Sequence, residues 1–246
     1  MKLEEVVKYQ NDLLRVSEFE DYPNALNGLQ LENSGTVSRV AAAVDACEAV
    51  LRMTVEAGAD LLIVHHGLFW GGLQTVTGAH YRKLKFAMEN NLAVYSAHLP
   101  LDAHPRCGNN VLLCNALGLP EPRQPFLEIG LQVEVEIDRE TLRRLIEQAV
   151  GGNVHLAPGG PTVARRIGVV TGGAGGAIFK AAAAGVDTFI TGEGPHWSFT
   201  AAEELHINVF YAGHYATEVF GVQELAKSLQ VKFGLPWQFL PHPTRL

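Results

Sequence analysis

The sequence has few cysteines, no cluster of basic charge and no long apolar run, and each of these shortages removes a class of function. Its 246 residues include only Cys47, Cys107 and Cys114. An odd count without a CxxC pair argues against a disulfide framework and against a thiolate zinc site, and suits a reducing compartment. Without a basic patch, and with a formal net charge of -7, a nucleic-acid partner is not expected. No stretch stays apolar long enough to span a bilayer, so no membrane role is expected. The opening "MKLEEVVKYQNDLLRV" lacks the apolar core of a signal peptide. These shortages point to a cytoplasmic protein. GxGxxG and GK[ST] are also missing. The Gly-rich stretch "VVTGGAGGAIFK", 169–180, therefore matches neither nucleotide fingerprint, although a backbone there can approach a ligand closely.

What is present is ordinary globular composition, 47% hydrophobic and 18% charged, in a chain long enough for two lobes. The spacing of Leu3, Val6, Val7, Leu13 and Leu14 predicts a first helix over 2–16. "YPNALNGLQLENSG" reads as loop. "RVAAAV" (39–44) and "DLLIVHH" (60–66) read as buried strands around a helix from about 47 to 57, with Gly58 as its left-handed cap. A helix over 80–90 and a strand over 92–97 follow. In "IGLQVEVEI", apolar residues from Ile129 to Ile137 alternate with glycine or polar ones, so this strand has one wet face. Asp138 can cap a helix reaching about 150. "VGGNVHLAPGGPTVAR" reads as a Gly/Pro-rich connection.

The pattern then recurs. "RVAAAVDACEAVLRMTVEAGADLLIVHHG" from 39 lies without a gap over "RIGVVTGGAGGAIFKAAAAGVDTFITGEG" from 166, an offset of 127. "LAVYSAHLPLD" from 92 lies over "NVFYAGHYATE" from 208, matching His98 to His214 at an offset of 116. This self-similarity predicts a duplicated αβ unit. The expected fold is α/β: two lobes with mainly parallel sheets, 1–125 and 126–246, and a metal site between the lobes at the C-terminal ends of the strands.

Each half pairs a His after a strand with a carboxylate four residues on: His98 with Asp102, and His214 with Glu218. Residues i and i+4 share a face of a helical turn. His65 and His66 end the neighbouring strand of the first half. These six residues are candidate ligands, and four imidazoles with two carboxylates suit two divalent ions. Such N and O donors fit zinc, iron, manganese, cobalt or nickel without choosing among them. In the second half Gly192 and Glu193 replace His65 and His66, which makes Glu193 a candidate proton shuttle or a support for a ligand. A lone His at a strand end is more often packing or surface, and for His65 and His66 alone the odds are even. His80, His104, His155, His206 and His242 read as surface or loop residues; His196 follows Glu193 in a loop and could line the cleft, although a surface role fits it better. Cys47 reads as a small core residue.

The stretches "DYPNALNGLQ", "LLIVHHGLFW", "SAHLPLD", "VTGGAGG", "FITGE" and "YAGHYATEVFG" occur in an order that resembles the Nif-three-like dinuclear-metal family, also known as GTP cyclohydrolase 1 type 2 homologues. The resemblance covers essentially the whole chain, in the short form without an inserted domain. It implies a two-metal site using His65, His66, His98, Asp102, His214 and Glu218, with the acids as candidate bridges. It also implies a hexameric ring with its sites facing an interior cavity. Nothing in the sequence reads a guanine or a triphosphate, since Arg82, Lys83, Lys85, Arg165 and Arg166 form no concentrated cluster. Three functions stay open: a metal-dependent hydrolase of a small molecule, a metal storage or delivery protein, and a structural protein whose metals hold it together. A spare carboxylate beside a two-metal cluster leans toward the hydrolase.

Overall fold

The protein is described by a computed structural model covering residues 1–70 and 72–245. In chain order the first part runs α1 (Leu3–Leu14), β1 (Gly28–Leu31), β2 (Val40–Asp45), α2 (Glu48–Glu56), β3 (Leu61–His66), α3 (Gly78–Glu89), β4 (Ala93–Ser96), α4 (Leu99–Asp102) and α5 (Asn109–Ala116). It continues through β5 (Gln124–Phe126), β6 (Gly130–Asp138), α6 (Arg139–Val150), β7 (His155–Pro158), β8 (Val163–Val170), α7 (Ile178–Ala183) and β9 (Thr188–Thr191). The last elements are α8 (Trp197–Glu204), β10 (Asn208–Tyr211), α9 (His214–Phe233) and β11 (Trp237–Phe239).

Two compact units result. The first is Met1–Leu101 with Gly221–His242, and the second is Asp102–Phe220 with the tail from Pro243. The first unit holds a five-stranded sheet in the order β1-β4-β3-β2-β11. Its β11, β2, β3 and β4 are parallel neighbours, and β1 runs antiparallel along β4. Val40–Val44 and Leu61–His65 are buried without interruption, as strands covered on both faces must be. Leu62, Val64, Val50, Leu51 and Leu92 form the core on one face. Cys47 is half-buried against it.

The second unit holds a six-stranded sheet in the order β5-β6-β8-β9-β10-β7. Its centre, β8-β9-β10, is parallel, and antiparallel strands flank it on both sides. The α/β class and the duplication therefore stand, while the second sheet is mixed. Two stretches expected as connection carry strands. "GLQL" forms β1 on β4, and "HLAP" forms β7 on β10. In both cases an open sheet edge supplies backbone partners that outweigh a turn-rich composition. Asp138 caps α6 as expected, accepting from the Thr141 amide at 2.9 Å.

Matched hydrogen bonds confirm the repeat. The Asp60 carboxylate accepts from the amides of Ser38 (2.9 Å) and Arg39 (3.2 Å). Its counterpart Asp187 accepts from the amides of Arg165 and Arg166, both at 3.0 Å. Each of these acids ties the residue before one strand to the neighbouring strand segment at the same position of the repeat. Gly58, just past α2, sits at φ +66°, where a Cβ meets no other atom but strains the backbone. Gly58→Ala is expected to cost about 1 kcal/mol, read as a lowered urea midpoint with an unchanged slope.

Candidate metal centre

In the first unit, β3 delivers His65 and His66, and the segment after β4 delivers His98. Ring nitrogens of the three histidines lie within 4.8 Å of one another. The ring centroids are 4.9 Å apart for His65 and His66, and 5.0 Å apart for His65 and His98. His65 is fully buried and His98 nearly so.

The Nδ1 atom of each ring is already committed. His65 Nδ1 lies 2.8 Å from the Ala97 carbonyl oxygen, His66 Nδ1 lies 2.9 Å from Asp45 Oδ1, and His98 Nδ1 lies 2.9 Å from Asp21 Oδ1. A carbonyl or carboxylate oxygen only accepts, so each Nδ1 carries the proton and donates it. The neutral ring then presents its lone pair on Nε2. This is the tautomer and bracing that a metal-ligating histidine requires. The donor set is therefore chemically suited to a divalent ion with a preference for nitrogen ligands.

Asp21 is itself fixed. It accepts from the Asn27 amide group at 2.8 Å and from the Leu99 amide at 3.1 Å. Burial pushes its carboxyl up, but hydrogen bonds from His98 and Asn27 outweigh burial and hold it below the ordinary aspartate value. Asp45 ends β2 directly opposite His66 in the parallel register. Neither acid was singled out in the sequence. The rule that strand C-termini gather functional groups, applied to β2 as well as β3, reaches Asp45. Asp21 lies within one of the family-like stretches, but no spacing links it to His98. Asp45→Ala is expected to weaken zinc binding by the first unit 10- to 100-fold, the usual range for losing such a support, read by competition with a coloured chelator.

In the second unit, His214 is the first residue of α9 and Glu218 lies one turn on, at i+4. His214 Nε2 lies 3.2 Å from Glu218 Oε1, and His214 Nδ1 lies 3.0 Å from Glu193 Oε1. The fourth imidazole thus repeats the arrangement of the other three, with Nδ1 held by an acceptor. Glu193 acts here as the group that orients His214. The hydrogen bond to Glu218, followed by its charge and by Glu193, pushes His214 up to about 9. A metal must displace that proton. Below about pH 9 the second unit's affinity is therefore expected to fall as pH falls, where an ordinary histidine site would level off above about 6.5. Calorimetric zinc titrations between pH 6.5 and 9 check this.

Asp102, 4% exposed, accepts from Asn109 Nδ2 at 2.7 Å and from Thr171 Oγ1 at 3.3 Å. The residue after Thr171, Gly172 (φ +69°), has no Cβ, and a Cβ there would strike Glu218 Oε1. Gly192 is similarly enclosed: its Cβ would lie 2.6 Å from the Gly172 oxygen and 2.7 Å from the His214 Cα. The Gly-rich loop thus lets two backbone segments close around His214 and Glu218.

The two His-carboxylate pairs do not occupy equivalent backbone positions. Leu61 faces Ala93 in the first unit, and Thr188 faces Asn208 in the second. The Ala97 amide donates to the Val64 oxygen as the Ala212 amide donates to the Thr191 oxygen. Ala97 therefore corresponds to Ala212, and His98 to Gly213. The side-chain match at 116 is one residue out of step with the backbone. His98 precedes the single turn of α4, whereas His214 is the first residue of α9.

Among the remaining histidines, His80 lies in α3 against Phe69, and the His104 Nδ1 accepts from the Cys107 amide at 3.1 Å. His155 and His196 line a cleft of the second unit.

Comparison with known proteins identifies the family. The sequence profile of the family described as Duf34/NIF3 (NGG1p interacting factor 3) matches residues 1–244. A Deinococcus radiodurans protein named GTP cyclohydrolase 1 type 2 homolog is 41% identical, covering 99% of this chain and 94% of that protein. An Archaeoglobus fulgidus protein of the same name is 39% identical, with both chains fully covered. The crystal structure of a Thermus thermophilus protein superposes with a TM-score of 0.93 at 39% identity, with both chains fully covered.

Proposed function

The chain belongs to the Duf34/NIF3 family, and on that footing we propose that it is a dinuclear metal-binding protein acting as a metal-dependent hydrolase. The ligands in this reading are His65, His66, His98, Asp102, His214 and Glu218, holding two divalent ions per chain. One observation carries it: all four imidazoles have Nδ1 engaged by an acceptor, which in His65, His66 and His98 aims the Nε2 lone pair away from its support, while His214 offers Nε2 once it releases the proton shared with Glu218. Surface or packing histidines have no reason to share one tautomer. Divalent ions held there would supply Lewis acidity, lowering the pKa of water and polarising an electrophile.

The chain's own residues do the rest. Asp21 and Asp45 fix their rings by accepting one Nδ1 proton each. Glu193 does the same for His214, yet its side chain is 45% exposed. It can therefore exchange a proton with a bound molecule while still orienting the ring. This is the feature that favours catalysis over storage. Self-association into a hexameric ring is part of the reading. Phe179 and Trp197, 57% and 46% exposed, stack 5.9 Å apart on the second unit and offer an apolar face for a second copy. Light scattering on the purified protein should give the mass of a hexamer.

The deciding experiment is release of metal into a coloured chelator over time. Two ions per chain that leave slowly support the catalytic cluster. Two ions that leave within seconds favour metal delivery. Trace metal only, before and after reloading, overturns the dinuclear reading.

A further inference from the structure

The second unit contains a cleft of about 550 Å³ that no ligand position uses. Glu193 forms one side of it, and His155, His196, Phe199, Tyr211 and Arg245 line the rest. The volume is that of an ordinary small-molecule site. Its wall is aromatic. The His155 ring lies 5.6 Å from Phe199 and stacks on Tyr211 at 6.0 Å and 29°. Tyr211 is fixed by a 2.7 Å hydrogen bond between its hydroxyl and Ser198 Oγ. The wall is therefore a group of mutually packed, tilted rings with Tyr211 held in place, and an aromatic edge or face of such a group suits a planar ring packed against it.

Charge divides the cleft. Glu193 is an acceptor engaged with His214 at 3.0 Å and repels anions at its end. Arg245 is a permanent cation and the His196 ring carries N–H donors, so the lining also offers an attraction for an anionic group.

We propose that this cleft binds a flat aromatic or heteroaromatic ring carrying one anionic substituent. The ring lies along His155, Phe199 and Tyr211, the anionic substituent meets Arg245 and His196, and the opposite ring edge meets Glu193. Binding depends only on the cleft. The further assignment of this molecule as the hydrolase substrate rests on the proposed function, because Glu193 is the one residue shared with the metal centre.

The test is calorimetric titration of the full chain, metal-loaded and chelator-stripped, with phenyl phosphate, phenol and inorganic phosphate. Phenyl phosphate is expected to bind at least about tenfold more tightly than either fragment, because the stacking and charge contacts add. Arg245→Gln is expected to weaken phenyl phosphate about tenfold while leaving phenol unchanged. Phe199→Leu is expected to weaken both aromatic probes and spare inorganic phosphate. Should Phe199→Leu destabilise the fold, the exposed Arg245 and His196→Gln variants carry the test. Metal content should be unchanged in every variant. Phenyl phosphate binding no tighter than phosphate, or binding indifferent to Arg245 and His196, overturns the proposal. Phenyl phosphate binding that persists in a chain found to hold no metal supports the cleft and removes only its link to hydrolysis. Two firmly held ions with no phenyl phosphate binding remove the cleft and leave the metal centre standing.

Discussion

His98→Ala is expected to weaken metal binding by the first unit at least about 100-fold, more than the loss of any single supporting acid. Three ring nitrogens within 4.8 Å could hold one ion together, and losing one leaves only two nitrogen donors. The loss cannot be recovered by a neighbour, because His65 and His66 are held in place through the Ala97 carbonyl and Asp45. The fold should survive. Asp21 keeps its hydrogen bonds from Asn27 and Leu99 when the ring goes, so its buried carboxylate stays solvated by the protein. The measurement is zinc stoichiometry and affinity by chelator competition, with a circular dichroism melt as the folding control. An unchanged first-unit affinity in a folded variant would remove His98 from the ligand set.

Gly192→Ala is expected to destabilise the chain by about 3 kcal/mol and to disturb the second half of the site at once. The new methyl would press on the Gly172 oxygen at 2.6 Å and on the His214 Cα at 2.7 Å, both of them backbone atoms. Neither can swing aside as a side-chain tip would. One of the two segments must move, and either movement shifts His214 against Glu218. Gly152→Ala is the control: a Cβ there has nothing within 4 Å, and little change is expected. Urea unfolding of both variants, followed by zinc titration, separates the effect of crowding from that of losing glycine as such.

How much of this was legible beforehand depends on how local each signal is. The buried strands Val40–Asp45 and Leu61–His66 are runs whose apolar character needs no context. The duplication followed from Asp60 and Asp187, which share a position because they do the same work in each unit. The strands β1 and β7 were not legible, because each exists only by pairing with an edge formed far away in sequence. The same holds for Asp21, which meets His98 across 77 residues. Matching His98 to His214 by side chain hid the one-residue shift that the hydrogen-bond register exposes. Composition made His155 and His196 look like surface residues, and both are exposed. The position of His196 after Glu193 already allowed it a place in a cleft, and the shape of the second unit adds His155 beside it.

The pairing of β11 with β2 has a consequence for the order of events during synthesis. Val40 meets Trp237, so the first sheet has an open edge at β2 until nearly the whole chain has been made. The second sheet needs nothing beyond Tyr211. The unit that starts later in sequence can thus complete its sheet first, while the earlier one waits with a fully buried type of strand unpaired on one side. Such an edge recruits other strands, and its exposure time sets the risk of aggregation on the ribosome. A chain stopped after Gly221 would leave that edge open permanently.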